Sequence, residues 1–293
     1  MKKILKISLT LFYISLMSCQ FNQSIHKDLK TGASYRGDGI SCDNVIMEIN
    51  DKRIQKNQFI YGEKIIFRFD NVKGLTKIDN KTYPQITIKI TDDKNKTILS
   101  NDKLLDHKGF KLSPLTLTTA VIFAIPYQNN EKYKLSIIIT DQKSKGKFTY
   151  KLPFSVSKSE NLSIKKRDLT YEAIYLWDNT SKRVVTNNVL NHAHQYMFIM
   201  DKIHGLTEQN NTVFPLWRIS LVDGNKQALI DSPNALIDYE KKGIPAKNIT
   251  DDQIYYTLDF TNGILTNPYR FKSILQDKFS DKFIDISADF QVE

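Results

Sequence analysis

The sequence predicts an all-β protein built from two tandem antiparallel β-sandwich domains that follow a signal peptide of the lipoprotein type. Three observations lead to this prediction. Hydrophobic residues alternate with a period of two along most apolar segments. A segment of roughly 130 residues occurs twice. The N-terminus has the pattern of an export signal.

The alternation of hydrophobic residues is clearest in two segments. Ile65, Phe67 and Phe69 occupy every second position of one segment, and Ile86 and Ile88 begin another. Successive side chains of a strand point to opposite faces, so this period gives one buried and one solvent-facing face, as in antiparallel sheets. Turn-forming clusters of Asp, Asn and Gly separate the segments. About seven or eight such strands per repeat predict an immunoglobulin-like sandwich.

The internal repeat is recognised from a shared motif. Asp-Asn-Val-Lys-Gly-Leu-Thr at 70–76 returns as Asp-Lys-Ile-His-Gly-Leu-Thr at 201–207. Further matches pair 80–84 with 211–215, 86–90 with 217–221, and Tyr133, Asp141, Phe154 and Val156 with Tyr269, Asp277, Phe290 and Val292. The length of each copy is that of a domain, not of a solenoid repeat. The sequence therefore predicts duplication of one domain.

The repeat sets the predicted domain boundaries, which are 1–18 for the signal peptide, 19–42 for a lipidated tether and lead-in, 43–157 for the first sandwich, 158–167 for a linker and 168–293 for the second sandwich. Two segments need separate treatment. The segment 268–279 looks amphipathic, but its repeat partner reads as a strand, so we predict a strand. In 233–242, helix formers ended by Gly243 predict a short helix or turn.

The N-terminus has the pattern of a lipoprotein signal. Lys2, Lys3 and Lys6 precede an apolar run at 7–17, which is shorter than the roughly 20 residues that cross a bilayer. Leu-Met-Ser-Cys at 16–19 follows and is similar to the bacterial lipobox, in which the cysteine is acylated. We predict lipidation of Cys19, with a plain secretory signal as the alternative. The polar residues 20–28 look like a tether.

Charge and cysteine content agree with an exported protein. The chain has 42 basic and 32 acidic residues, and cleavage after residue 18 removes three lysines and no acid. The remaining lysines are scattered among Asp and Asn, so we interpret them as a solvated surface, and we expect no nucleic-acid partner. With Cys19 acylated, only Cys42 remains, so no intramolecular disulfide is expected.

Several motifs together give a resemblance to a group of proteins. These are the lipobox, Tyr-Gly-Glu at 61–63, Lys-Gly-Lys-Phe at 145–148 and the lead-in at 31–42. They resemble uncharacterised envelope lipoproteins of Bacteroidota-type bacteria. The resemblance implies immunoglobulin-like domains and envelope location, and no known activity or active-site residues. Gln-Phe-Asn-Gln at 20–23 lacks the acids common after the cysteine of surface lipoproteins of such bacteria, which favours the periplasmic face of the outer membrane over surface exposure.

The sequence shows no catalytic signature, no cofactor motif and no metal site. Acids that recur between the copies, Asp70 with Asp201 among them, could coordinate calcium, but we interpret them as turn residues. His192 and His194 lie two apart without an evident third ligand, and we interpret them as turn residues too. Arg-Gly-Asp at 36–38 is interpreted as a chance match to an integrin-type tripeptide.

The aromatic residues suggest where a ligand could bind. Trp217 is in phase with Ile219 and is predicted to be core, whereas Tyr175 and Trp177 are predicted to point away from the core. This outward pair could stack on a sugar, dock on a partner or pack against the neighbouring domain. The sequence therefore predicts a non-catalytic, lipid-anchored binding or scaffold protein with a protein partner in the envelope. Carbohydrate capture through Tyr175 and Trp177 is the alternative.

Overall fold

The computed structural model describes residues 23–105, 109–111, 113–127, 131–260 and 266–293. Strands dominate, and the helical elements within these ranges are α1 (Ala246–Thr250) and a 3-10 turn at Ile237–Tyr239. The prediction of an all-β fold is therefore confirmed, as is the short turn predicted for 233–242. No helix in the described part of the chain is long and apolar enough to cross a membrane. The predicted signal peptide and Cys19 lie outside the described residues.

The first repeat forms two main antiparallel sheets. Its strands are β1 (Gln23–Lys27), β2 (Ser34–Asp38), β3 (Asn44–Ile49), β4 (Lys52–Ile54), β5 (Gln58–Ile60), β6 (Lys64–Asp70), β7 (Lys77–Ile78), β8 (Lys81–Thr82), β9 (Pro84–Asp92), β10 (Thr97–Asn101), β11 (Leu117–Ile122), β12 (Lys132–Asp141) and β13 (Lys147–Ser157). One sheet has the order β1-β2-β13-β12-β9-β10, with β5 parallel to β13. The other has the order β11-β6-β3-β4.

The second repeat has the same strand order except for β1, which has no counterpart among its described strands. Its strands are β14 (Ser163–Arg167), β15 (Ala173–Asp178), β16 (Arg183–Val184), β17 (Val189–Leu190), β18 (Gln195–Asp201), β19 (Thr212–Val213), β20 (Pro215–Val222), β21 (Ala228–Ser232), β22 (Ile244–Pro245), β23 (Gln253–Asp259), β24 (Tyr269–Asp277) and β25 (Phe283–Val292). One sheet runs β14-β25-β24-β20-β21, with β17 parallel to β25, and the other runs β16-β15-β18-β23. The strand predicted for 268–279 is confirmed as β24.

The segment predicted as a tether is part of the first sheet. Strand β1 pairs with β2 from Gln23 to Lys27, and the His26 ring stacks on Tyr35 with centroids 4.9 Å apart. The polar composition that indicated a tether belongs to a strand whose backbone forms the hydrogen bonds to β2, so its side chains can be polar. The tether predicted for 20–28 is therefore wrong for Gln23–Lys27, which form a strand.

The chain divides into two compact units. Unit 1 comprises the described residues of Met1–Gln55, Ile66–Thr119 and Tyr133–Pro153, and unit 2 comprises those of Lys56–Ile65, Ala120–Lys132 and Phe154–Glu293. The division does not fall at a single point of the chain, because the segments 56–65 and 120–132 of the first repeat belong to unit 2. The boundaries predicted from the sequence stay a prediction.

The core of unit 1 follows from the period-two alternation. Phe67 and Phe69 of β6 are fully buried, and the intervening Arg68 is half-buried. Phe69 contacts Phe148 of β13 edge-on with ring centroids 6.0 Å apart, and Phe67 lies 5.8 Å from Tyr150. The inner faces of two sheets therefore meet through large aromatic side chains, as in a β-sandwich.

The core of unit 2 has a polar contact at its centre. Trp217 of β20 is 1% exposed, as the sequence predicted, and its indole Nε1 donates a hydrogen bond of 2.8 Å to Ser273 Oγ of β24. Phe198 of β18 packs on Phe271 of β24 with centroids 4.7 Å apart. Burial of the large rings supplies the apolar area, and the serine satisfies the one polar atom of the indole.

The shared Gly-Leu-Thr motif has the same structural role in both copies. Gly74 and Gly205 have φ values of +87° and +97°, and a Cβ atom on Gly74 would lie 1.9 Å from a backbone oxygen. The threonine two residues later donates its backbone N–H to an aspartate at the end of β12 or β24: Thr76 to Asp141 at 2.8 Å, and Thr207 to Asp277 at 2.9 Å. The motif thus fixes a loop to a distant hairpin.

Candidate functional site

The predicted aromatic pair lies on the expected side of strand β15. Ile174 and Leu176 are buried at 1% and 3% exposure, whereas Tyr175 and Trp177 lie on the opposite face and are half-buried. The predicted phase of this strand is therefore confirmed. In the register, Trp177 lies opposite Met197 of β18.

The Tyr175 ring does not form an open platform. Within unit 2 it packs on Tyr61 with ring centroids 4.9 Å apart, and Tyr61 contacts Tyr127 at 5.7 Å. The Tyr127 hydroxyl accepts a hydrogen bond from the backbone N–H of Ile174 at 3.0 Å. Burial raises the pKa of Tyr175 to about 12. The part of the Tyr175 ring that contacts Tyr61 is not available to a sugar, so the structure gives Tyr175 a packing contact with a tyrosine of the first sequence repeat. Ligand binding through Tyr175 and Trp177 stays a prediction.

The histidines and strand-end acids bond to local partners. His194 Nδ1 lies 2.8 Å from Asp178 Oδ2, whereas His192 Nδ1 lies 2.8 Å from the backbone oxygen of Glu293. Asp92 and Asp223 each accept a backbone N–H four residues later at 2.8 Å, the hydrogen bond of a turn. Across the described ranges, no group of three or more His, Cys, Asp or Glu side chains is placed to hold a metal ion.

A groove on the outer face of the first sheet is the candidate site. It lies over β2, β13 and β12 in unit 1 and has a volume of about 480 Å³, within the roughly 300–1,000 Å³ of small-ligand sites. We call it the basic groove and define it by its lining residues Ser34, Tyr35, Arg36, Asp38, Ser136, Ile138, Lys147, Thr149 and Lys151.

The alternation of β13 directs the basic side chains outward. Phe148 and Tyr150 are buried at 0% and 4% exposure, so the residues between and beside them, Lys147, Thr149 and Lys151, face solvent. Strand β12 alternates in the same way and presents Ser136 and Ile138 on this face. The strong hydrophobic period that builds the core therefore also places the polar lining.

Pairing of β2 with β13 arranges the lining in three rows. Lys147 lies opposite Asp38, Thr149 opposite Arg36, and Lys151 opposite Ser34. Rows two residues apart on a strand are separated by about 7 Å. Cationic groups therefore stand in each row, spread over about 14 Å along the strand direction.

Three exposed cations line the basic groove. Arg36, Lys147 and Lys151 are exposed, and none forms an ion pair with any residue that the structure describes. Asp38 is exposed as well, and its carboxylate makes no hydrogen bond to the described residues, although the residue faces Lys147 in the register. Charges held on one sheet face without local partners are available to a ligand.

The second repeat pairs two of the cations on its equivalent face. Arg167 of β14 forms an ion pair of 2.7 Å with Asp281. Lys272 of β24 lies 3.8 Å from Asp285 of β25, a residue that occupies the repeat position of Thr149. Two outer-face cations of the second repeat therefore have acidic partners, whereas Arg36, Lys147 and Lys151 have none among the described residues.

The chemistry of the basic groove is that of binding. Cations and hydroxyl groups bind acidic and polar ligands, and Asp38 is the sole carboxylate among the lining residues. Sequence reasoning missed this site because it interpreted the lysines as scattered and Arg-Gly-Asp at 36–38 as a coincidence. The alternation Lys147, Thr149, Lys151 on a predicted strand was the available signal, since every second residue shares a face.

Comparisons with known proteins bear on the fold alone. No protein-family model and no curated protein match the chain. Among solved structures, it is similar to pT26-6p at 10% identity, with 92% of this chain and 65% of that chain covered and a TM-score of 0.27. It is also similar to fibronectin(III)-like modules of Clostridium thermocellum CbhA (9% identity, 85% and 94% covered, TM-score 0.20) and to CBD12 from CALX1.2 (7%, 76% and 80%, 0.21).

The chain spans slightly less than two thirds of the length of pT26-6p. At these TM-scores the paired sheets of the chain itself, and not the similarities, establish the β-sandwich fold.

Proposed function

We propose that this chain is a non-catalytic binding protein of the bacterial envelope that holds an anionic ligand in the basic groove. The observation that carries the proposal is a set of three cations, Arg36, Lys147 and Lys151, on one face of an ordered sheet and without an ion-pair partner among the described residues. A rigid strand scaffold presents these charges in fixed rows, which favours a ligand with several acidic groups over a single ion.

The test of this function compares two double variants of the full mature chain. Lys147→Ala with Lys151→Ala removes two groove cations, and Lys165→Ala with Lys272→Ala removes two cations from the equivalent face of the second repeat. Binding of dextran sulfate is measured by calorimetry at low salt. We expect at least a tenfold loss of affinity for the groove variant and less than a twofold change for the control. Equal losses in both variants would show binding by net charge alone and contradict the proposal.

The envelope location is proposed from the N-terminal sequence. Lys2, Lys3 and Lys6, the apolar run at 7–17 and Cys19 in a lipobox-like motif support export and acylation. Strand β1 begins at Gln23, four residues after Cys19, so a lipid on this cysteine would hold the sheet of the basic groove near the membrane. We propose the periplasmic face of the outer membrane, with surface exposure as the alternative.

Membrane fractionation and protease treatment test this location. Wild-type protein should sediment with membranes, and Cys19→Ala should be released into the soluble fraction. Protease added to intact cells should spare the wild type until the outer membrane is opened. Digestion of intact cells would instead place the sheets outside, and membrane retention of Cys19→Ala would refute the lipid anchor.

A protein partner in the envelope is the second candidate for the ligand. An acidic surface on such a partner would complement Arg36, Lys147 and Lys151 as well as an acidic polymer would. Crosslinking in cells should then recover one stoichiometric partner from the wild type and lose it from the Lys147→Ala, Lys151→Ala variant. Recovery of the same partner from the wild type and from the variant would show that the partner does not bind through the basic groove.

A further inference from the structure

The basic groove contains groups of three chemical kinds. Its cations are Arg36, Lys147 and Lys151. Its aliphatic hydroxyl groups come from Ser34, Ser136 and Thr149, and its one carboxylate comes from Asp38. A ligand that satisfies all three kinds must carry acidic groups for the cations and hydrogen-bond donors for the carboxylate.

The position of Asp38 in the basic groove distinguishes ligands that carry only acidic groups from ligands that also carry hydroxyl groups. Its carboxylate is exposed, lies opposite Lys147 and accepts no hydrogen bond from the described residues. An ionised carboxylate only accepts hydrogen bonds, so it repels a ligand made of acidic groups alone and binds one that also offers hydroxyl donors. A site selected for bare polyanions would not benefit from an acid beside its lysine.

The middle row of the groove suits a carboxylate on a ring-shaped ligand. Arg36 lies opposite Thr149, and its planar guanidinium can form two parallel hydrogen bonds to one carboxylate. Ile138 of the neighbouring strand adds an apolar surface against which carbon-bound hydrogens can pack. Lys147 and Lys151 stand one row away on either side, about 7 Å from the middle row.

From these groups we infer that the basic groove binds an acidic saccharide, a sugar chain that carries both carboxylates and free hydroxyls. This inference rests on the proposed function and specifies its ligand. Arg36 binds a carboxylate, the two lysines bind acidic groups of adjacent sugars, and Asp38 with the serine and threonine hydroxyls binds sugar hydroxyls. The binding surface is thereby moved from Tyr175 and Trp177 to the first repeat.

The second repeat indicates one such site per chain. At the repeat position of Thr149 it has Asp285, which lies 3.8 Å from Lys272. The position equivalent to Asp38 is Arg167, which pairs with Asp281. A carboxylate in the middle row would repel an acidic sugar, so we expect a stoichiometry of one saccharide per chain.

The test uses the mature chain with Cys19→Ser, which prevents acylation, and four probes in calorimetry at one ionic strength. The probes are oligogalacturonate, its methyl ester, poly-L-glutamate and vesicles of phosphatidylglycerol. Oligogalacturonate carries carboxylates and hydroxyls, the ester keeps the hydroxyls without the charge, and polyglutamate carries carboxylates without hydroxyls. We expect one site for oligogalacturonate and at least tenfold weaker binding of the other three.

The variant Asp38→Ala gives a second, independent readout. Oligogalacturonate affinity should fall about tenfold, because a hydrogen bond to a charged group is lost. Polyglutamate affinity should rise, because a repulsive charge is removed. Asp289→Ala, an exposed acid on β25, is the control and should change neither affinity.

Other outcomes overturn the inference in distinguishable ways. Equal binding of polyglutamate, with affinity for both polymers raised by Asp38→Ala, would assign the groove to an acidic peptide. Binding of vesicles alone would assign it to a membrane surface. Binding of dextran sulfate in the groove without binding of oligogalacturonate would refute the saccharide and leave the proposed function intact. Failure of every anion to bind would refute both.

Discussion

Asp277 provides a quantitative test of how the repeated motif stabilises the fold. Its side chain is 3% exposed at the end of β24 and accepts hydrogen bonds from Thr207 N at 2.9 Å, Ser280 Oγ at 2.7 Å and Phe279 N at 3.2 Å. Burial by itself would raise the pKa of this carboxyl, but these hydrogen bonds outweigh it and the pKa is lowered. The ionised form is therefore the one that the native fold stabilises.

The expected cost of Asp277→Ala follows from its donors. Ser280 and Phe279 are exposed and can bond to water in the variant, whereas Thr207 N–H is partly buried and loses its acceptor. An unsatisfied buried donor costs about 1–3 kcal/mol, and a hydrogen bond to a charged group contributes about 1.5–3 kcal/mol. Relief of the carboxylate's desolvation offsets part of this. We expect the free energy of unfolding to fall by about 2–4 kcal/mol.

Tryptophan fluorescence during urea unfolding measures this loss. The chain has two tryptophans, and both Trp177 and Trp217 lie in the second repeat, so their emission reports unfolding of the part that contains Asp277. With an m-value of about 2 kcal/mol per molar urea, the transition midpoint should move down by about 1–2 M. The control Asp289→Ala should stay within about 0.5 kcal/mol of the wild type. A midpoint for Asp277→Ala equal to that of the control would refute the proposed role of this hydrogen-bond cluster.

Three further predictions concern the same core and turns. Ser273→Ala leaves the buried indole N–H of Trp217 without its acceptor and should lower stability by about 1–3 kcal/mol in the fluorescence assay; an unchanged midpoint would contradict the hydrogen bond. Asp141 and Asp277 both have lowered pKa values, so their stabilisation is present above the unfolded-state pKa and should be lost as pH falls below about 4; thermal melts that do not weaken between pH 6 and 3 would oppose this. Gly205→Ala places a Cβ 2.6 Å from a backbone oxygen at a positive φ and should cost at least about 1 kcal/mol, measured as a lower melting temperature, whereas a neutral effect would argue against the close approach.

Period-two alternation made the sheets and their inner faces predictable. Phe67 and Trp217 are buried as expected, because a strand that separates two faces leaves the apolar residues one orientation only. The duplication was also predictable from the sequence. Gly74 and Gly205 both have a positive φ, which disfavours other residues, so the glycine of the motif occurs in both copies. The polar composition of 20–28 did not predict strand β1. The backbone of β1 forms its hydrogen bonds with the backbone of β2, so the strand can form with polar side chains.

By itself, the sequence determined the strands, their buried faces and the duplication, because each depends on the order of residues within a short segment. Only the tertiary structure decided which segments meet. Arg36 and Lys147 are more than 100 residues apart in the chain and share a groove because the register of β2 on β13 places them in adjacent rows of one sheet face. Tyr175 is covered because Tyr61, from a different strand pair, reaches its ring. A binding surface is formed by segments that are distant in the sequence. The residue pattern within one segment does not show which other segment lies beside it in the fold.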